Sequence, residues 1–107
     1  MDDLQHLGQR LSDVLEERKR LHINDPAVYR YWELLSKILA ENIPLSISYL
    51  KQCSEEYLEL LSEVFEDVME LTNNIEYLAY LKDLKDQSVN ELITSNAKEA
   101  MDYYRSE

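Results

Sequence analysis

The run Ser54-Glu55-Glu56-Tyr57-Leu58-Glu59-Leu60-Leu61-Ser62-Glu63-Val64-Phe65-Glu66-Asp67-Val68-Met69-Glu70-Leu71 decides the class of fold. At about 100° per residue, Leu58, Leu61, Val64, Phe65 and Val68 fall on one side of a helix. Glu55, Glu56, Glu59, Glu63, Glu66, Asp67 and Glu70 fall within an arc of roughly 120° on the other side. Ser54 is a good N-cap, and Thr72-Asn73-Asn74 is a polar stop, so the spacing predicts one amphipathic helix from 54 to about 71. Such a helix buries its apolar side and turns a row of carboxylates outward.

The same grammar continues in both directions. Leu4, Leu7, Leu11, Val14, Leu15 and Leu21 predict a first helix over about 3–21, with Asp2 and Asp3 suited to its positive end. Ile23-Asn24-Asp25-Pro26 supplies a stop and a restart, with Asp25 as N-cap and Pro26 at the first helical position. Tyr31, Trp32, Leu34, Leu35, Ile38 and Leu39 carry a second helix to about 41. Asn42-Ile43-Pro44 interrupts it, and Leu45, Ile47, Tyr49 and Leu50 give a short third helix ending near Cys53. Beyond the acidic helix, Ile75, Tyr77, Leu78, Leu81 and Leu84 form a fifth. Asp86-Gln87-Ser88 breaks again before a last helix near 89–104. The expectation is an all-α fold of about six helices in one domain covering 1–107, with 1–22 as a capping helix and 26–104 as stacked antiparallel hairpins.

A faint repeat supports the stacking. Glu33-Leu34-Leu35-Ser36-Lys37-Ile38-Leu39 superposes on Glu63-Val64-Phe65-Glu66-Asp67-Val68-Met69 at a shift of 30, and Ile47 and Leu50 match Leu78 and Leu81 at a shift of 31. Long helix, break and short helix, stacked twice, is the arithmetic of a small helical solenoid, with an irregular bundle as the alternative.

Composition bounds the function. A chain of 107 residues with 45 % hydrophobic content is long enough for one core, and one Gly with two Pro argues against a turn-rich sheet fold. No long apolar run and no basic-then-apolar start is visible, so neither a membrane span nor a secretory signal is expected. Cys53 has no second cysteine to pair with, and the cytosol is the default compartment. The formal net charge of −11 disfavours nucleic acid and anionic membrane as partners and favours a basic protein.

No catalytic constellation emerges. The single Gly8 lies inside a helical pattern, which excludes phosphate-binding loops. His6 and His22 lack the neighbouring glutamates of zinc-protease or di-iron spacing, and there is no calcium-loop pattern. His22 follows Arg18, Lys19 and Arg20 at a helix end, where positive charge is favoured by the dipole. Cys53 reads as a small buried hydrophobe, not a thiolate. The clustered acids look hydrated, without the raised pKa that a general acid needs. The expectation is a non-enzyme with no cofactor and no metal.

The acidic row remains. Positions 54–81 hold eight carboxylates and no Lys or Arg. Glu55–Glu59, Glu59–Glu63, Glu63–Asp67 and Glu66–Glu70 are like-charge i,i+4 pairs that together cost roughly 1–2 kcal/mol, with no internal partner in view. A solvated face kept for solubility is the plain reading; a docking face for a cation relieves the cost. Tyrosine, which outnumbers Phe eight to one, suits interfaces because its ring buries area while its hydroxyl stays wet. Tyr31, Tyr49 and Tyr57 read as core or core-edge rings and Trp32 as core, whereas Tyr77 and Tyr80 adjoin the acidic helix. The candidate partner-binding set is therefore Glu55, Glu56, Glu59, Glu63, Glu66, Asp67, Glu70, Tyr77 and Tyr80.

Tyr31-Trp32-Glu33-Leu34-Leu35, Ser54-Glu55-Glu56-Tyr57-Leu58 and Leu61-Ser62-Glu63-Val64-Phe65-Glu66-Asp67-Val68 resemble small helical immunity proteins of bacterial contact-dependent and polymorphic toxin systems. The resemblance covers about 25–104 and includes Glu76-Tyr77-Leu78-Ala79-Tyr80-Leu81 and the Asp102-Tyr103-Tyr104 end. It implies HEAT-like stacked hairpins that bind and neutralise one cognate toxin domain, often a cationic nuclease, with no catalytic residues to transfer. The expected function is an immunity protein, a monomer, acting through its acidic face. The rival is a helical adaptor that dimerises through the Leu4/Leu7/Leu11/Val14 stripe.

Overall fold

Most breaks fall near the polar punctuation, several boundaries shift, and one expected helix is divided. The computed structural model describes residues 2–106, and among these it has seven helices and no strand. They are α1 (Asp3–Lys19), α2 (Val28–Ala40), α3 (Ile43–Gln52), α4 (Glu55–Ser62), α5 (Phe65–Thr72), α6 (Ile75–Gln87) and α7 (Glu91–Met101). Asp2, Asn42, Ser54, Asn74 and Asn90 each accept backbone N–H groups of the first turn they precede, satisfying donors the helix leaves free. Asn73 ends α5 at φ 42°, the left-handed conformation that asparagine tolerates best after glycine.

Several expected boundaries shift. Helix α1 ends at Lys19, and α2 begins two residues after Pro26, because Asp25 caps a preceding turn through Ala27 N–H at 2.9 Å. Helix α6 runs through Gln87, so the last break centres on Ser88–Asn90.

The divided helix is the acidic one, which is two helices. Glu63 N–H and Val64 N–H donate to Leu60 and Leu61, three residues back, so the end of α4 tightens and the chain turns before α5 starts. Neither Gly nor Pro marks the spot. Ser62, buried at the junction, donates to Glu59 O at 2.6 Å and accepts from Asn96 Nδ2 at 2.9 Å, while Glu63 is drawn toward α1 and α2.

Leu7, Leu11 and Leu15 of α1 join Leu35, Leu39, Leu61, Phe65, Val68, Met69 and Leu81 in one continuous core. Helix α1 packs on α2 and α3; α2 lies on α5 and α3 on α6, the pairs that the 30-residue repeat superposes. In that register Leu35 and Leu39 correspond to Phe65 and Met69, and all four are fully buried. Helices α5 and α6 pack chiefly on α7, not on each other, so the second hairpin is opened by a wedge. Gly8 makes room for the Tyr49 ring of α3, since a methyl there would meet Tyr49 Cε1 at 3.2 Å.

Leu7 and Leu11 of the α1 stripe are buried in this core, and Leu4 and Val14, partly buried, pack against the same cluster.

Candidate functional site

Burial divides the candidate residues into three groups. At the N-terminal half of the row, the carboxylates have partners within the fold. Glu63 accepts from Arg18 Nε at 3.0 Å and Nη2 at 2.8 Å, and from Trp32 Nε1 at 2.7 Å. Both members of the ion pair are largely sequestered, Arg18 with 6 % and Glu63 with 16 % of the side chain exposed. Lys19 Nζ lies 3.1 Å from Glu56 Oε1, and Asn90 Nδ2 donates to Glu59 at 3.0 Å and Glu55 at 3.4 Å. The expectation that these charges find no internal partner is overturned for Glu56 and Glu63, which meet Lys19 and Arg18; Glu55 and Glu59 gain only a hydrogen bond from the neutral Asn90 amide, and their charge stays uncompensated. The signal for Glu63 was present in the sequence: Arg18 stands seven residues after Leu11 and three after Leu15, on the core-facing stripe of α1.

The two tyrosines leave the surface as well. Tyr77 is fully buried, edge-on to Phe65 with centroids 6.3 Å apart, and its hydroxyl has no hydrogen-bond partner among the described residues. Tyr80 is buried and lines a separate cleft with Leu50, Lys51 and Leu58. Neither can serve as a surface contact beside the acidic residues.

The third group is Glu66, Asp67 and Glu70 on α5, and α7 adds Glu99. No Lys, Arg or His among the described residues lies within 4 Å of any of the four. Partial burial raises the Glu66 carboxyl above its ordinary range, helped by a hydrogen bond to Glu99 and by the charges of Glu99, Asp67 and Glu70. Asp67 is raised for the same reasons, burial first and then Glu70. Every charge acting on Glu66 is negative. This is unneutralised potential held on two rigid helices. Ala97 and Ala100, both fully buried, give α7 a slim face toward its neighbours, and that packing brings Glu99 to the patch.

The patch borders two adjoining cavities of about 550 and 410 Å³. Tyr29, Trp32 and Asp67 line both. The larger one continues between Ser36 of α2 and Glu70 and Leu71 of α5; the smaller passes Glu66, Asn96 and Glu99. Trp32 is thus half-buried, packed against the core and walling both cavities. Tyr29, 69 % exposed, meets it edge-on with centroids 5.2 Å apart. Sequence reasoning missed Tyr29 and Glu99; Tyr29 does stand one turn before Trp32, so the two share a helical face.

The other reactive side chains are quiet. Burial pushes the Cys53 thiol up to about 11, away from a nucleophilic thiolate. Among the described residues no group of three or more His, Cys, Asp or Glu side chains has the geometry to hold a metal ion, and no helix is long and apolar enough to cross a membrane. The chain matches no family model, no curated protein sequence and no solved structure.

Proposed function

We propose that this protein is a non-catalytic inhibitor of the immunity type, acting in the cytosol, which binds a basic toxin domain and covers the groove where that toxin holds its substrate. One observation carries the reading: Glu66, Asp67, Glu70 and Glu99 form a carboxylate cluster with no cation within 4 Å among the described residues, next to an open aromatic cleft. Carboxylates in such an array take the places that nucleic-acid phosphates occupy on a nuclease, and their summed field speeds capture at low salt. The docking face is narrower than the full acidic row and is centred on α5 and α7.

The test is affinity capture from the producing cells with wild-type protein and with a Glu70→Lys/Glu99→Lys variant. A basic protein retained by the wild type, lost from the variant, and inhibited in its own activity by added wild type is the expected result. Retention that ignores the double charge reversal, or a captured protein whose activity is untouched, defeats the proposal. Both substituted side chains are exposed, so the variant keeps the fold.

A further inference from the structure

Resting on that reading, we propose that the cavity between α2 and α5 is a socket for an arginine side chain of the basic partner, with Tyr29 and Trp32 as its aromatic wall and Asp67 and Glu70 as its counter-charges.

The cavity presents apolar surface and negative charge together. Tyr29 is 69 % and Leu71 59 % exposed, both beside Asp67 and Glu70, which have no cation within 4 Å among the described residues. A ligand that recovers both must be flat, weakly hydrated and positive. A guanidinium meets all three conditions: it stacks on an aromatic face and offers a planar fork of donors to carboxylates. A lysine ammonium is compact and strongly hydrated, so it gains the charge but little from the rings.

The socket is pre-organised. Trp32 cannot swing freely, because its indole N–H is held by Glu63 at 2.7 Å and Glu63 is clamped by Arg18. Tyr29 stands at 90° to the Trp32 plane, giving two walls at right angles. Lys37 is the one cation lining the cavity among the described residues, and its Nζ lies 2.8 Å from Oε1 of Glu33, which lines the cavity too, so this pair leaves Asp67 and Glu70 as the counter-charges. A volume of about 550 Å³ exceeds one side chain, so the residues flanking the arginine enter with it and rest on Leu71.

Trp32 is the only tryptophan in the chain, so its fluorescence reports occupancy of the socket directly. The probes are an Arg–Ala repeat peptide, a Lys–Ala repeat peptide of equal length, and free spermidine. The expected result is a saturable response to the arginine peptide, at least ~threefold tighter than to the lysine peptide or spermidine. Tyr29→Ala, and separately Asp67→Asn with Glu70→Gln, should weaken arginine-peptide binding about tenfold. Tyr29→Phe keeps the ring and should retain binding. Glu76→Gln with Asp83→Asn removes two exposed charges from α6 and should also leave it unchanged, which separates a local site from net charge. No saturable signal, equal affinity for the lysine peptide or spermidine, or full binding by a folded Tyr29→Ala protein overturns the socket. Failure of the broader reading is distinct. A basic protein captured equally by wild type and Tyr29→Ala leaves the function standing and removes the socket; arginine-peptide binding as expected, with no basic protein captured, does the reverse.

Discussion

Arg18 and Glu63, 45 residues apart in the chain, meet side-on with both guanidinium–carboxylate contacts at 3.0 Å or less. The pair ties the last turn of α1 to the junction of α4 and α5, and Trp32 of α2 adds a third hydrogen bond to the same carboxylate. Arg18 also donates to Leu21 O at 3.2 Å, fixing the chain just beyond α1. The most central carboxylate of the acidic run is therefore a structural strut, and the residues free to meet a partner lie to one side of it.

Breaking this pair should be expensive. Arg18→Ala leaves the Glu63 carboxylate largely buried with no counter-charge, and the expected loss is about 3 kcal/mol of unfolding free energy. Arg18→Met combined with Glu63→Leu should recover much of it, because the desolvation of both charges disappears along with their attraction. Urea unfolding of Arg18→Met, of Glu63→Leu and of the double variant measures the coupling; independent, additive losses would contradict the strut.

The Glu66 carboxyl gives a pH signature of definite sign. Its folded-state pKa is raised, by burial first and then by Glu99, so the folded protein holds that proton more tightly than the unfolded chain does. The stability this confers is present below the unfolded glutamate value and is lost as pH rises through the folded value. Glu66→Gln has no such loss and can still donate to Glu99. Its advantage over wild type should be smallest at acid pH, grow as pH rises above the ordinary glutamate range, and level off above the folded-state value. Urea midpoints from acid to neutral pH record it, and a difference independent of pH would show that Glu66 is not under strain.

Asn90 does two jobs, and only one of them tolerates aspartate. Its Oδ1 accepts from Leu92 and Ile93 N–H while its Nδ2 donates to Glu59 and Glu55. As an N-cap alone, Asp is about as good as Asn. Here Asn90→Asp places a third carboxylate against two others, and it should lower stability by about 1 kcal/mol where a pure cap would show no change. Thermal unfolding decides between them.

Tyr77→Phe should stabilise. The hydroxyl is fully buried without a partner among the described residues, and an unsatisfied buried hydroxyl costs roughly 1–3 kcal/mol. Phenylalanine keeps the edge-on contact with Phe65 and removes that cost. A rise of a few degrees in the unfolding midpoint is expected, and a fall would mean that the hydroxyl is satisfied in solution.

How much was legible follows from the range of each interaction. Ser54 caps the helix assigned to it, and Asn42 and Asn74, read as breaks, cap the helices that follow them, because a cap bonds an N–H three residues away, inside any local window. The apolar stripes that predicted Leu11, Leu35, Leu61, Val68 and Leu81 as inward residues are equally local, and all five are fully buried. The break at Glu63–Val64 had no such local cause, since it depends on Asn96 reaching Ser62 and on Arg18 and Trp32 reaching Glu63. Tyr77, read from its place beside the acidic helix, went to the core instead because α6 turns that face inward.

By itself the order of residues determined that this chain is a set of short amphipathic helices carrying an excess of negative charge, since helical period and capping act over three or four positions. Only the packing of those helices decided which carboxylates stay unpaired. Arg18 and Lys19 neutralise Glu63 and Glu56 across gaps of 45 and 37 residues, while Glu66, Asp67 and Glu70 share their corner of the molecule with Glu99 and two aromatic rings. The physical reason is that neutralisation requires contact within a few ångströms, and distance along the chain carries no information about which cation the fold will bring that close.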